Sequence, residues 1–212
     1  MKPTVIDPKT TSRAEAYELW MNAPNPMVTF FKTLDVTPLF RLSRRRNLKF
    51  NMPLCWCIGK AASRINEFYL LPQQGKLYQY NRLAINVIVK NILGSINSCD
   101  IPYYDDIHQF AEDYHSLTDQ AVNRCESTFT DDCMVIGTSA MIEAELDCIV
   151  NQYTDKFCNP MVMWGRYRKG WLRTTLPVSF QFHHVQMDGG QAAAFLNALQ
   201  STIDGIKKFA KK

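Results

Sequence analysis

Several features that would assign a function at once are missing from this chain. It has no glycine-rich loop of the kind that cradles phosphates, which argues against a nucleotide-hydrolysing enzyme. Its seven cysteines include no Cys-x-x-Cys pair, so zinc ribbons and thioredoxin-type redox centres are disfavoured. No apolar run reaches the ~18 residues a membrane-spanning helix needs, and the polar segment after Met1 has no signal-peptide core, so neither a membrane span nor secretion is expected. Repeats, low-complexity tracts and Gly/Ser-rich linkers are absent as well, so one domain over residues 1–212 is expected. Charge of one sign is scarce: 24 Lys and Arg against 20 Asp and Glu leave +4. That is too mild for a nucleic-acid binder, though it suits an anionic cofactor.

What is present suffices for a folded core. Hydrophobic residues make up 46% and aromatics 12%, an ordinary globular composition. The cysteines are scattered, several inside apolar runs, and read as buried thiols in a reducing cytoplasm. Ser12 and Glu15 resemble a capping box opening a helix that runs to about Asn22. Met27 to Leu34 reads as a strand, Val28, Phe30 and Leu34 sharing one face. Thr37-Pro38 opens a second helix running into the basic residues 41–49, and residues 53–68 form an apolar one. Lys76 to Tyr80 and Leu83 to Val89 suggest a hairpin around Asn81-Arg82. A long helix starts at Asp105-Asp106, and residues 134–140, 160–167 and 171–182 read as strands. Elements mix without regular βαβ alternation, which favours an α+β fold, a mixed sheet covered by helices.

Of four histidines, two are adjacent, within Ser179-Phe180-Gln181-Phe182-His183-His184-Val185-Gln186-Met187-Asp188-Gly189-Gly190. Upstream, residues 176–182 alternate as a strand. Downstream, Ala192, Phe195, Leu196, Leu199, Ile203 and Ile206 recur at helical spacing. Asp188 falls at the helix start, where a carboxylate suits free N–H groups. Gly189 and Gly190 are expected to permit a turn that side chains would obstruct. By itself the pair fits packing as well as chemistry.

His-His-x-x-x-Asp-Gly, followed by a helix carrying Leu-x-x-Leu-Gln, resembles the signature of the chloramphenicol acetyltransferase family of CoA-dependent acyltransferases. Further similarities follow in order: Arg13 in the first helix, Asp35 after the first strand, Lys49-Phe50-x-x-Pro53, Ile101-Pro102-Tyr103, Ile107-His108-Gln109-Phe110, Ser139-Ala140 and Leu176-Pro177-x-Ser179-x-Gln181. The resemblance implies the two-layer acyltransferase fold and a cytoplasmic homotrimer with active sites between subunits. It also implies acetyl transfer from acetyl-CoA, without a metal, to a hydroxylated small molecule, chloramphenicol first, in an antibiotic-resistance role. His184 is then the general base, a task suited to a group titrating near neutrality, and Ser139 is the hydroxyl donor to the oxyanion. Asp188 and Arg13 are implied as a supporting ion pair, Lys49, Arg166 and Tyr167 as cofactor contacts, and His183 as an orienting or packing residue. Trp20, where the family has tyrosine, and Val28, in the loop after it, fall in an acceptor region that the resemblance assigns to the neighbour of His184. Met163 stands where the family often has threonine. The alternatives are a different hydroxylated acceptor, or a trimeric binding scaffold that has lost turnover.

Overall fold

The computed structural model describes residues 2–154 and 156–209. Its strands are β1 (Thr4–Ile6), β2 (Met27–Asp35), β3 (Leu70–Gln73), β4 (Lys76–Gln79), β5 (Leu83–Lys90), β6 (Ile96–Pro102), β7 (Met134–Met141), β8 (Met161–Gly165), β9 (Arg168–Lys169) and β10 (Thr174–His183). The helices are α1 (Ala14–Trp20), α2 (Thr37–Arg46), α3 (Asn51–Ala62), α4 (Ile107–Arg124) and α5 (Gly189–Phe209). The main sheet runs β2-β10-β8-β7-β5-β6, with β9 paired to β10. β5, β7 and β8 are parallel neighbours and the remaining pairs antiparallel. This is an α+β fold.

Strand β10 organises the core because both of its faces are covered. Leu176, Val178, Phe180 and Phe182 point to the helix side and are almost fully buried. There Phe195 of α5 meets Phe180 at 4.5 Å and Phe68 at 4.8 Å, within the range where aromatic pairs add to plain burial. The opposite face carries Ser179, Gln181 and His183, and the β7–β8 crossover runs across it. The Ser179 hydroxyl accepts from the Ile149 N–H at 2.8 Å, and the Gln181 amide donates to the Asn151 carbonyl at 3.0 Å. These bonds give the buried polar side chains partners in the crossover.

Several local expectations give way to tertiary contacts. Ser12 does not cap α1: Arg13 holds the cap position, and its N–H donates to the Thr11 hydroxyl at 3.0 Å. The Thr37 hydroxyl accepts from Thr174 N–H, while the Asp35 carboxylate accepts from Thr37 N–H. Residues 76–80 and 83–89 are not a hairpin. β4 pairs instead with β1 and β3 in a separate three-stranded sheet. Its turn with β3 has positive φ at both Gln74 and Gly75, the two-residue geometry that matches strand twist. The apolar helix is α3, ending at Ala62. Gly189 and Gly190 have no positive φ, and an added Cβ would meet only Phe30 in ordinary contact or open space. Glycine is therefore not required there for room. Five cysteines are buried, Cys125 is half-buried and Cys148 exposed, and all seven are free thiols.

Candidate active site

The turn after β10 is held by a side chain from the far end of the chain. Arg13, 3% exposed, donates from Nε to the Val185 carbonyl at 2.9 Å and from Nη2 to the His184 carbonyl at 2.9 Å. The same guanidinium spans both Asp188 oxygens, at 2.6 and 2.8 Å. This bidentate, charge-assisted geometry fixes orientation as well as energy. The His184 N–H donates to the Pro26 carbonyl at 2.8 Å, so the backbone around the second histidine is held on both sides. The Asp188 carboxylate therefore faces Arg13. Its own N–H is satisfied by the Gln191 side chain at 3.0 Å, half of a capping box.

The two histidines have different environments. His183 is 1% exposed, and its Nδ1 accepts the Val185 N–H at 3.1 Å. Burial, and then the nearby His184, push its pKa down to about 4. It is a neutral residue pinned in the turn and cannot collect a proton at Nδ1. The His184 ring stacks on Trp20 at 4.8 Å with planes 3° apart. Its Nδ1 is buried, lies 3.4 Å from Asp188 Oδ1 and makes no well-formed hydrogen bond. At that distance the carboxylate acts on the ring through its charge. Nδ1 is sealed while the side chain as a whole is 30% exposed, so any proton exchange at this ring falls to Nε2. The Arg13 hydrogen bond, ahead of the charges of Arg13 and His184, holds the Asp188 carboxyl below its usual range against the opposing effect of burial. Asp188 is thus an anion beside the ring.

Breaking this clamp should cost stability as well as activity. Arg13→Val and Asp188→Asn should each destabilise by about 3 kcal/mol, the low end for a broken buried pair because water reaches Asp188. Their double mutant should lose less than the sum, and strictly additive melting shifts would show that the two side chains are energetically independent. A folded-state pKa below the unfolded value gives stability present above the unfolded carboxyl pKa, ~4, and lost as pH falls through the folded one. The melting gap between wild type and Asp188→Asn should therefore close in acid.

Ser139 is half-buried on β7, facing away from the helices. Register pairs Ser139 with Met163 and Met163 with Ser179, and His184 lies five residues beyond Ser179. Two strand spacings and five residue rises set the two positions roughly 19 Å apart. No rotamer spans that gap, so within one chain Ser139 and His184 do not meet. Val28, expected at the acceptor, faces the helix layer with Phe30 and packs on the core, as strand alternation requires. Trp20, expected to serve a neighbour's histidine, stacks on His184 of its own chain, and the Pro26 carbonyl of the same chain accepts from the His184 N–H. His108 is exposed and His115 packs by Tyr114.

Lys49, Arg166 and Tyr167 come together in the wall of one cavity of about 710 Å³, with Phe50, Asn51, Tyr114, Ile142, Glu145, Trp164, Gly165 and Lys169. The Arg166 guanidinium also donates to the carbonyls of Ile142, at 2.9 Å, and Glu143. Lys169, not singled out from the sequence, is also a cavity residue. Its nearness to Tyr167 in sequence was the available signal. Among the described residues no cluster of three or more His, Cys, Asp or Glu is arranged to hold a metal ion, and no helix is long and apolar enough to cross a membrane.

A family model described as chloramphenicol acetyltransferase matches residues 1–200. Chloramphenicol acetyltransferase 2 of Escherichia coli is 22% identical over 213 residues, covering 98% of this chain and 100% of its own. A solved chloramphenicol acetyltransferase superposes with TM-score 0.81 at 17% identity, over 95% of this chain and 99% of its own. The cubic core of a pyruvate dehydrogenase complex gives TM-score 0.66 at 16% identity, over 93% and 88%. At such identities the two structures speak for the fold alone.

Proposed function

The chain belongs to the chloramphenicol acetyltransferase family, acetyl-CoA-dependent acyltransferases, and from that premise we propose that it acetylates a hydroxyl of chloramphenicol. In this reading the protein is a single catalytic unit over residues 1–212 that assembles as a cytoplasmic homotrimer conferring antibiotic resistance. His184 Nε2 takes the acceptor hydroxyl's proton as its oxygen attacks the thioester carbonyl. The resulting oxyanion accepts a hydrogen bond from Ser139 of a neighbouring copy. The intermediate collapses by breaking its carbon–sulfur bond, and the departing CoA thiolate takes the proton back from the imidazolium. Asp188, ionised beside Nδ1, stabilises the charged ring without itself being protonated. Arg13 holds the turn, Trp20 fixes the ring plane, and Lys49 and Tyr167 meet the cofactor.

The observation that carries this reading is the state of His184: its backbone is clamped from both sides, its ring is stacked, and one nitrogen is sealed against an anion, which leaves proton exchange to the other. Such preorganisation matches what a general base needs. The neighbouring copy's role is supported by the backbone separation of Ser139 and His184 in one chain, roughly 19 Å. A different hydroxylated acceptor is favoured by one feature, the buried Met163 paired in register with Ser139, which offers a wall with no hydroxyl. The test is purified protein with acetyl-CoA and a panel of hydroxylated acceptors that includes chloramphenicol, followed by free thiol and product mass. Thiol release with other acceptors but not chloramphenicol would move the acceptor. Release with none, while CoA binds, would leave a binding scaffold.

A further inference from the structure

Arg13 is not alone in holding the turn after β10: two glutamine amides hold it as well. Gln186, two residues beyond His184, is 0% exposed. Its N–H donates to the His183 carbonyl at 2.9 Å, and its Nε2 donates to the carbonyl of Leu70, the first residue of β3, at 2.5 Å. Gln191, which accepts the Asp188 N–H, donates from Nε2 to the Glu67 carboxylate at 3.4 Å. Both amides thus reach the segment that enters β3. At the far end of that strand the Gln73 amide donates to the Lys156 carbonyl at 3.1 Å. β3 is thereby tied to the turn at one end and to the β7–β8 crossover at the other.

Gln186 carries a polar group that packing does not ask for. Its Oε1 is buried with no hydrogen-bond partner among the described residues, a state that destabilises. Methionine would fill similar space without that penalty; what it lacks is the donor for the Leu70 carbonyl. The Nε2–H of the amide is therefore the part with a task. Arg13 binds the carbonyls of residues 184 and 185, and Gln186 secures the next residue to β3. We propose that Gln186 is a positioning residue for His184. Its bond to β3 sets the turn so that the His184 ring lies flat on Trp20 with Nδ1 toward Asp188. It acts through the backbone and touches no reactant. The inference rests on the acetyl-transfer reading above.

The experiment compares wild type, Gln186→Met and Gln186→Glu, reading kcat, KM and melting temperature, with thiol release from acetyl-CoA as the assay. Gln186→Met should lower kcat about tenfold, less than the ~10² that a 1 Å misplacement can cost, and leave KM near wild type. Its melting temperature should change little, because the lost bond and the lost orphan oxygen offset each other. Gln186→Glu tests rescue. Burial can keep a carboxyl neutral up to about pH 8–9, and a neutral carboxyl donates to the Leu70 carbonyl as the amide does, whereas a carboxylate cannot. Its kcat should stay near wild type in neutral solution and fall to the Gln186→Met value in base. Arg13, Glu67, His184 and Asp188 are shared by all three proteins, so a fall confined to Gln186→Glu belongs to the introduced carboxyl. If that raised carboxyl unfolds the protein in base, as linkage allows, Gln186→Met decides alone. Proton NMR gives a readout independent of turnover: the ring current of Trp20 moves the C–H signals of the stacked His184 upfield, and His184→Ala identifies them. That shift should shrink in Gln186→Met and persist in neutral Gln186→Glu. Unchanged kcat and an unchanged ring shift in Gln186→Met would overturn the inference, as would a loss carried by KM alone. A wild type that releases no thiol, but whose ring shift is lost in Gln186→Met, refutes the acetyl-transfer reading and upholds the positioning.

Discussion

His184→Ala should lower the turnover of acetyl transfer by about 10²–10⁴, the range for loss of a positioned general base, and leave the fold and assembly intact. The side chain is partly exposed, and the clamp on the turn uses the main-chain groups of residue 184, not the imidazole. Free-thiol release at saturating co-substrate measures the loss, and light scattering checks assembly. The buried His183 gives the contrast. His183→Ala removes the acceptor of the Val185 N–H and should show itself chiefly as a lower melting temperature. Turnover within tenfold of wild type in His184→Ala would end its assignment as base.

The second large effect is recovery of activity from two inactive proteins. Ser139→Ala alone should cost about 10²–10³ in turnover, as loss of one oxyanion donor does. Ser139 and His184 of one chain are far apart, and the proposed mechanism therefore combines His184 of one copy with Ser139 of another. After co-refolding equal amounts of Ser139→Ala and His184→Ala chains, about a quarter of the head-to-tail interfaces in a closed ring should pair two intact residues. Activity should then rise from near zero to about a quarter of wild type. The same experiment with His184→Ala and a chain blocked in the Pro24–Pro26 loop should stay inactive, since that loop lies against its own chain's histidine. A Ser139/His184 mixture that stays inactive despite proven hetero-oligomers would mean that these residues do not share a site. A monomer in solution would remove the premise altogether.

The turn that carries His183, His184 and Asp188 was legible because its signals are local. Alternation in β10, Asp188 at the head of α5 and helical spacing beyond it all lie within about thirty residues, and short-range pattern reports short-range geometry. The same locality explains the misreadings. Two strand-like runs separated by Asn81-Arg82 read as a hairpin, yet each found better partners elsewhere: β4 beside β1 and β3, β5 between β6 and β7. Ser12 read as a cap until Arg13 took that position, its side chain reaching residues more than 170 positions away. Arg166 read only as a cofactor contact, because nothing nearby in sequence announces that two carbonyls of the crossover will also face its guanidinium.

By itself, then, the sequence determined the mixed α+β class, the strand–turn–helix that carries His184 and Asp188, and, through resemblance, the acyltransferase family. Only the tertiary structure decided which groups meet. It set Trp20 on His184 of its own chain, turned Val28 to the core, tied Arg166 to the crossover and left Lys169 facing the cavity. It also separated Ser139 from His184 by a distance that one chain cannot bridge. The physical reason is common to all five: strand register and packing between distant segments depend on the whole sheet, whereas periodicity and capping are settled within one or two turns of chain.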